Sequence, residues 1–195
     1  RYIGVLNKFI GTYPNISIYS TMVFYPNGWE RLVVKNTLGI SYDKYPSEKG
    51  IIVSNVSTIY AIYEMLKENK SLCERIVTIS GNGIKKKCNV KVKVGTLASD
   101  IINGFNEYKK IKNPIFIAGG PMMGNSLPSD DMVITADVNS ILVISDFDSK
   151  LLPCIKCGKC TRVCPSGLAP VLIMTCINDK NKLKCLDTSK CIECG

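Results

Sequence analysis

A chain of 195 residues, 46% hydrophobic and 21% charged with a mean hydropathy near zero, is long enough to bury a core and too apolar to be disordered. Its longest apolar runs, Ile141–Ile144 and Val171–Met174, fall far short of the ~20 residues a membrane span needs, so any membrane contact must be peripheral. The formal charge of +9 is spread over runs such as Lys85–Lys87 and Lys180–Lys184. It fits solvated faces, an acidic protein partner or an anionic membrane surface, and argues against nucleic acid because no aromatic residues interleave with the basic ones.

In chain order, Ile16–Tyr19 is a short apolar stretch and Pro26-Asn27-Gly28 marks a loop. Trp29–Leu38 is predicted as a helix closed by Gly39, a residue suited to the left-handed position past a helix end. The continuous apolar run in Gly50–Asn55 predicts a buried strand, and Ser57 is placed to cap a following helix. That helix would carry Tyr60, Glu64, Lys67 and Glu68 on one side and Ile59, Ile62, Tyr63 and Leu66 on the other. Such a strand, turn and helix belong to an α/β layer.

From Arg75 the period changes. Ile76–Ser80, a turn at Gly81-Asn82-Gly83 and the alternation Asn89–Val94 predict a half-buried hairpin. A short helix at Ser99–Phe105 and strands at Pro114–Ala118, Met132–Ala136 and Ser140–Ser145 complete a small β-grasp-like domain. Gly119-Gly120-Pro121-Met122-Met123-Gly124 is a flexible loop without the glycine spacing that opens a helix under a phosphate. After Lys150 the composition turns to Cys, Lys and Pro, and Pro170–Ile177 reads as a short helix inside a third unit.

Of the ten cysteines only Cys73 and Cys88 precede this unit, and both read as structural thiols; eight crowd between Cys154 and Cys194. A secreted disulfide scaffold would spread them through a small domain, so the clustering points to metal ligation in a reducing cytoplasm. Without a single histidine, every imidazole-dependent site is excluded. No basic start followed by an apolar core reads as a secretory signal.

Cys154, Cys157, Cys160 and Cys164, followed by Pro165, have the C-x₂-C-x₂-C-x₃-C-P spacing of bacterial ferredoxins. Two-residue spacers turn the chain around a cubane and free backbone N–H groups to point at sulfur. In two-cluster proteins the fourth cysteine ligates the other cube, so Cys164 is expected to join Cys191 and Cys194. A zinc-binding interaction module is the rival of another class, but zinc prefers two separated pairs to four cysteines within eleven residues. The group Cys191-Ile192-Glu193-Cys194-Gly195 repeats the opening of the first motif and then stops. Starting at Arg1 and ending there, the chain reads as a piece of a longer protein. Two readings stay open: the missing thiolates lie beyond Gly195, or Cys176 and Cys185 complete the ligand set. Matching openings favour the first.

The segments Tyr25-Pro26-Asn27-Gly28-Trp29-Glu30-Arg31, Ile52–Thr58, Gly119–Gly124 and the two cysteine groups, in this order, resemble the RnfC family of electron-transport proteins. That family is related to the NADH-binding flavoprotein of respiratory complex I. The resemblance implies an α+β chain with a partial α/β NADH/FMN-type domain over residues 1–72, a soluble-ligand-binding (SLBB-like) β-grasp domain over 73–149 and a truncated helical ferredoxin-type double-cluster module over 150–195. It implies two [4Fe-4S] clusters that relay electrons between a nicotinamide or flavin site and a redox partner or another component of a membrane complex. Ser54, Asn55 and Thr58 would be FMN contacts. Glu30 would match the acidic residue of a G-G-E-type loop near flavin and nicotinamide, with Trp29 in place of the second glycine. From the residues alone, Asn55 and Thr58 also read as caps of the following helix. The glycine-rich flavin loop expected upstream is absent, so FMN and NADH are expected of the full-length protein and only weakly, or not at all, of this piece. A soluble relative serving a proline reductase is the alternative within the same architecture.

Overall fold

Alternating side chains build the central sheet. In the computed structural model, which describes residues 2–10, 12–105, 107–146 and 152–195, strand β1 (Glu74–Ser80) pairs antiparallel with β2 (Cys88–Lys93), with Val77 opposite Val90. Val77, Ile79, Val90 and Val92 are buried on one face, while Lys91 and Lys93 point to solvent. Three further strands follow: β3 (Pro114–Ala118), β4 (Asn125–Leu127) and β5 (Ser140–Ser145). The sheet order is β2-β1-β5-β3-β4, with β1 and β5 parallel and the other neighbours antiparallel.

A parallel pair requires a long crossover between its strands. A helix, Ala98–Phe105, lies in that crossover, and its Ala98, Ile101 and Ile102 recur at helical spacing and are buried. They join Val77, Ile79, Ile84, Ile134, Ile141 and Val143 in one apolar cluster. The fold class is therefore α+β with a mixed five-stranded sheet, as the resemblance implied.

Two expected strands do not form. The run at 50–55 is irregular and Ile52 is 87% exposed; no strand among the described residues pairs with it, so its apolar character reflects no ladder. Residues 132–136 make only the isolated bridge Leu97–Val133. Their backbone groups serve the turn before the Ala98–Phe105 helix instead, through Ala98 N–H to Met132 O (2.9 Å) and Ile134 N–H to Thr96 O (2.8 Å). Strand β4 was not anticipated. At three residues it is too short to carry a period.

The chain divides into two compact units, Arg1–Val53 with Gly158–Ile192 and Ser54–Cys157 with Glu193–Gly195. The sheet belongs to the second. So does helix Val56–Glu68, capped by Asn55, whose side-chain oxygen accepts from Ser57 N–H at 2.9 Å; the cap is thus Asn55 and not Ser57. No residue of this helix is buried. The first unit holds helices Tyr2–Ile10 and Glu30–Leu38, the latter ending at a left-handed Gly39 as expected, and three short helices, Lys159–Val163, Pro170–Thr175 and Lys180–Lys184. The boundary expected at residues 149 and 150 lies outside the described residues.

The Gly81–Gly83 turn passes directly over β5. Gly83 N–H donates to Val143 O at 2.9 Å, and the Asn82 side chain both accepts from Ser145 N–H and donates to Ser145 Oγ, each at 2.8 Å. A Cβ on Gly81, at φ +117°, would fall on the Val143 carbonyl, whereas one on Gly95, at φ +97°, would meet nothing within 4 Å. Gly81→Ala should therefore lower the unfolding free energy by about 3 kcal/mol or more, against about 1–2 kcal/mol for Gly95→Ala, where backbone strain acts alone. Denaturant melts of the two variants check this; equal losses would show that the close approach to β5 is unimportant.

Candidate functional site

The first cysteine motif is shaped by left-handed backbone at fixed places. Lys156 and Gly158 have φ of 54° and 72°, and the second motif repeats the pattern at Glu193 (52°) and Gly195 (89°). A non-glycine residue in this region costs roughly 1–2 kcal/mol. Lys156 and Glu193 accept that cost at the same position of the two Cys-Ile-x-Cys-Gly sequences. Left-handed residues at these places let nearby backbone N–H groups turn toward a negatively charged guest.

Two such N–H groups already meet sulfur. Lys156 N–H donates to Cys154 Sγ and Leu168 N–H to Cys164 Sγ, both at 3.4 Å. After Cys164 the chain turns sharply through Pro165 and a left-handed Gly167 (φ 66°), while Leu168 is buried. Gly158 starts the helix that carries Cys160, and Cys164 ends it. None of the ten cysteines is in a disulfide. Cys154, Cys157 and Cys194 belong to the second unit; Cys160, Cys164 and Cys191 belong to the first. Among the described residues, no group of three or more Cys, Asp or Glu side chains is gathered closely enough to hold a metal ion. The local features of thiolate ligation are present, each on its own segment.

Cys176 and Cys185 each close a short helix, and the Cys185 thiol donates to Asn181 O at 3.5 Å. Cys88 packs against the sheet core and Cys73 is exposed beside Ser71.

Glu30 opens helix Glu30–Leu38, where a carboxylate complements the positive end of the helix dipole, and accepts from Tyr42 Oη at 2.9 Å. Arg31 stacks over the Tyr42 ring, 5.1 Å from its centroid, and donates to the Tyr42 and Asp43 carbonyls. Tyr42, overlooked in the sequence because a single tyrosine between Ser41 and Asp43 has no period, is thus the pivot of this corner. Burial, then its hydrogen bond to Glu30, pushes its pKa up to about 12. Glu30 belongs to the first unit, whereas Ser54, Asn55 and Thr58 belong to the second. Asn55 and Thr58 come together at the start of one helix, Thr58 N–H donating to Asn55 O at 3.0 Å, and Ser54 precedes them. Capping uses the Asn55 side-chain oxygen and leaves its amide N–H₂ as a donor.

No protein-family model matches the chain. Curated proteins do. Over 172 residues the chain is 32% identical to the RnfC component of the ion-translocating oxidoreductase complex of Rhodobacter capsulatus, an alignment covering 84% of this chain and 32% of that protein. The protein of the same description from Vibrio cholerae is 33% identical over 153 residues, or 75% of this chain and 20% of the relative. Its counterpart in the proton-translocating ferredoxin:NAD(+) oxidoreductase complex of Clostridium ljungdahlii is 33% identical over 155 residues, 76% of this chain and 34% of its own length. The chain spans about a fifth to a third of the length of these relatives.

The Tyr42 shift gives a test of the Glu30 corner. A phenol whose folded pKa is raised contributes stability below its unfolded value near 10 and loses it as pH climbs toward about 12. Ultraviolet titration of Tyr42 against a Tyr42→Phe background should show one tyrosine ionising late. Tyr42→Phe should cost about 1 kcal/mol at neutral pH and flatten the alkaline loss of stability. A Tyr42 that ionises with the exposed tyrosines would remove the Glu30 contact from the site.

Proposed function

Since this chain is a relative of the RnfC proteins of ion-translocating oxidoreductase complexes, we propose that it is an electron-transfer piece of such a protein, with ligands for two [4Fe-4S] clusters. The observation that supports this best is the recurrence of the same left-handed positions in both cysteine motifs, at Lys156 and Gly158 and again at Glu193 and Gly195. When bound, the clusters would supply one-electron transfer at potentials tuned by the surrounding hydrogen bonds and charge. The chain's own part is to present thiolates, direct N–H groups at them and offset their charge.

Cys154, Cys157 and Cys160 would hold one cube, and Cys164 would join Cys191 and Cys194 on the other. Pro165 turns the chain away after Cys164, and the counterpart of Cys164 in the second motif would return to the first cube. Amide donors at Lys156 and Leu168 already point at the sulfurs of Cys154 and Cys164. Lysines at 156, 159 and 190 lie within or next to the motifs and counter the charge of the thiolates.

The hairpin, helix and mixed sheet order fit a β-grasp domain of the SLBB type between a partial NADH/FMN-type segment and the cysteine module. Residues 1–72, 73–149 and 150–195 are the division we assign to these parts. In the full-length protein Glu30, Ser54, Asn55 and Thr58 would serve flavin or nicotinamide. The partners would be a redox protein or other components of the complex. No helix of the described residues is long and apolar enough to cross a membrane, so attachment through this piece would be peripheral, on the cytoplasmic face.

Electron paramagnetic resonance of the reduced full-length protein, with iron and sulfide analysis, tests the ligand assignment. Cys164→Ala should weaken or abolish the signal of the cluster held by Cys191 and Cys194 and spare the other, whereas Cys157→Ala should do the reverse. Loss of the same signal in both variants would place all four cysteines of the first motif on one cube. Zinc in place of iron and sulfide would overturn the reading.

A further inference from the structure

The first unit contains a cleft of about 400 Å³ whose walls come from three separate stretches of chain. Arg31 and Lys35 enter from helix Glu30–Leu38, Ser41 and Tyr42 from the segment after it, Ser166 from the turn behind Cys164, and Lys190 from the residue before Cys191. Among the described residues no carboxylate lines it.

Its charges are poorly neutralised. The half-buried Arg31 guanidinium is held by two backbone carbonyls and the Tyr42 ring, partners that fix its position but carry no countercharge. Neither Arg31 nor Lys35 forms an ion pair among the described residues; Lys190 pairs with Asp187 at 2.7 Å. Removing a cation from water without an opposite charge is costly, and an anion in the cleft would relieve that cost. The nearest acidic side chain of the helix, Glu30, is engaged by Tyr42. A guanidinium already locked in place loses little entropy on binding, and the N–H groups it does not spend on the two carbonyls remain as donors to an oxyanion. The hydroxyls of Ser41 and Ser166 add neutral donors.

We propose that this cleft is a seat for a phosphate-class oxyanion, with Arg31 as the fixed charge and Lys35 and Lys190 as adjustable ones. Such a seat requires no cluster. Its phosphate is either a free ion or the phosphate end of a larger ester, and both present the same chemistry to these three cations.

Calorimetric titration of the full-length protein in chloride buffer, with inorganic phosphate, pyrophosphate, ADP and uncharged adenosine as probes, tests it. Phosphate and pyrophosphate should bind, pyrophosphate more tightly. Lys35→Glu and Lys190→Glu should each weaken binding about tenfold or more, since each turns a charge-assisted contact into a repulsion. Asp187→Asn should strengthen binding by releasing Lys190. Both lysines are exposed, so these variants should keep the wild-type melting temperature. ADP binding that responds to the same substitutions, with adenosine silent, would identify an ester phosphate; response to phosphate and pyrophosphate alone would identify a free ion. Absence of phosphate, pyrophosphate and ADP binding to the wild type, or binding unchanged in both lysine variants, would overturn the proposal.

Discussion

The parallel pairing of β1 with β5 is the constraint on which the second unit depends. Thr78, Ile79 and Ser80 lie against Ser140, Ile141 and Leu142, so strands about sixty residues apart in sequence must be brought side by side before the sheet can close. Two devices share that task. The helix Ala98–Phe105 buries Ile101 and Ile102 against both strands, and the Asn82 side chain clasps Ser145 from the hairpin turn. Glycine at 81 lets the turn come down onto Val143. On its other edge β5 pairs antiparallel with β3, and β3 in turn with β4.

Where the sequence carried a period, the structure followed it. The alternation in Asn89–Val94 foretold β2, the apolar run Ser140–Ser145 was a strand at those limits, and Gly39 closed its helix. The failures share a cause. Residues 50–55 and 132–136 are apolar and β-branched, but pairing requires a neighbour, and composition says nothing about whether one is present. Ile134 is fully buried without belonging to a strand, because its backbone bonds to the turn at Thr96. Apolar content reported its burial and not its conformation.

The candidate sites divide in the same way. Spacing alone marked the cysteines, since three thiolates two residues apart have few other uses. It could not mark the left-handed Lys156 and Glu193, because lysine and glutamate have no preference for that conformation. Tyr42 and Arg31 were illegible for a different reason: their roles come from a stack and two carbonyl contacts formed by a return of the chain after Gly39. Asn55 was readable in two ways, and its oxygen on Ser57 N–H establishes the capping role without removing its amide from other duties.

The same chain return ties the charge pattern to the cysteine segments. A net charge of +9 looks diffuse along the sequence, yet folding sets Arg31, Lys35 and Lys190 around one concavity, and among the described residues two of them form no ion pair. Some cations elsewhere are paired: Lys70 bridges Glu64 and Glu74, and Lys91 also reaches Glu74, holding that carboxyl below its ordinary range. Those contacts are exposed and add little stability individually. The contrast is chemical. Around Glu74 opposite charges meet within the fold, whereas Arg31 and Lys35 line the cleft beside Cys164 and Cys191 with no ion pair among the described residues. An anionic group bound through Cys164 and Cys191 would draw on part of that positive charge, and an anion in the cleft would compete for the rest. Ligation at these two cysteines and occupancy of the cleft would therefore oppose one another electrostatically, because both are stabilised by the same field.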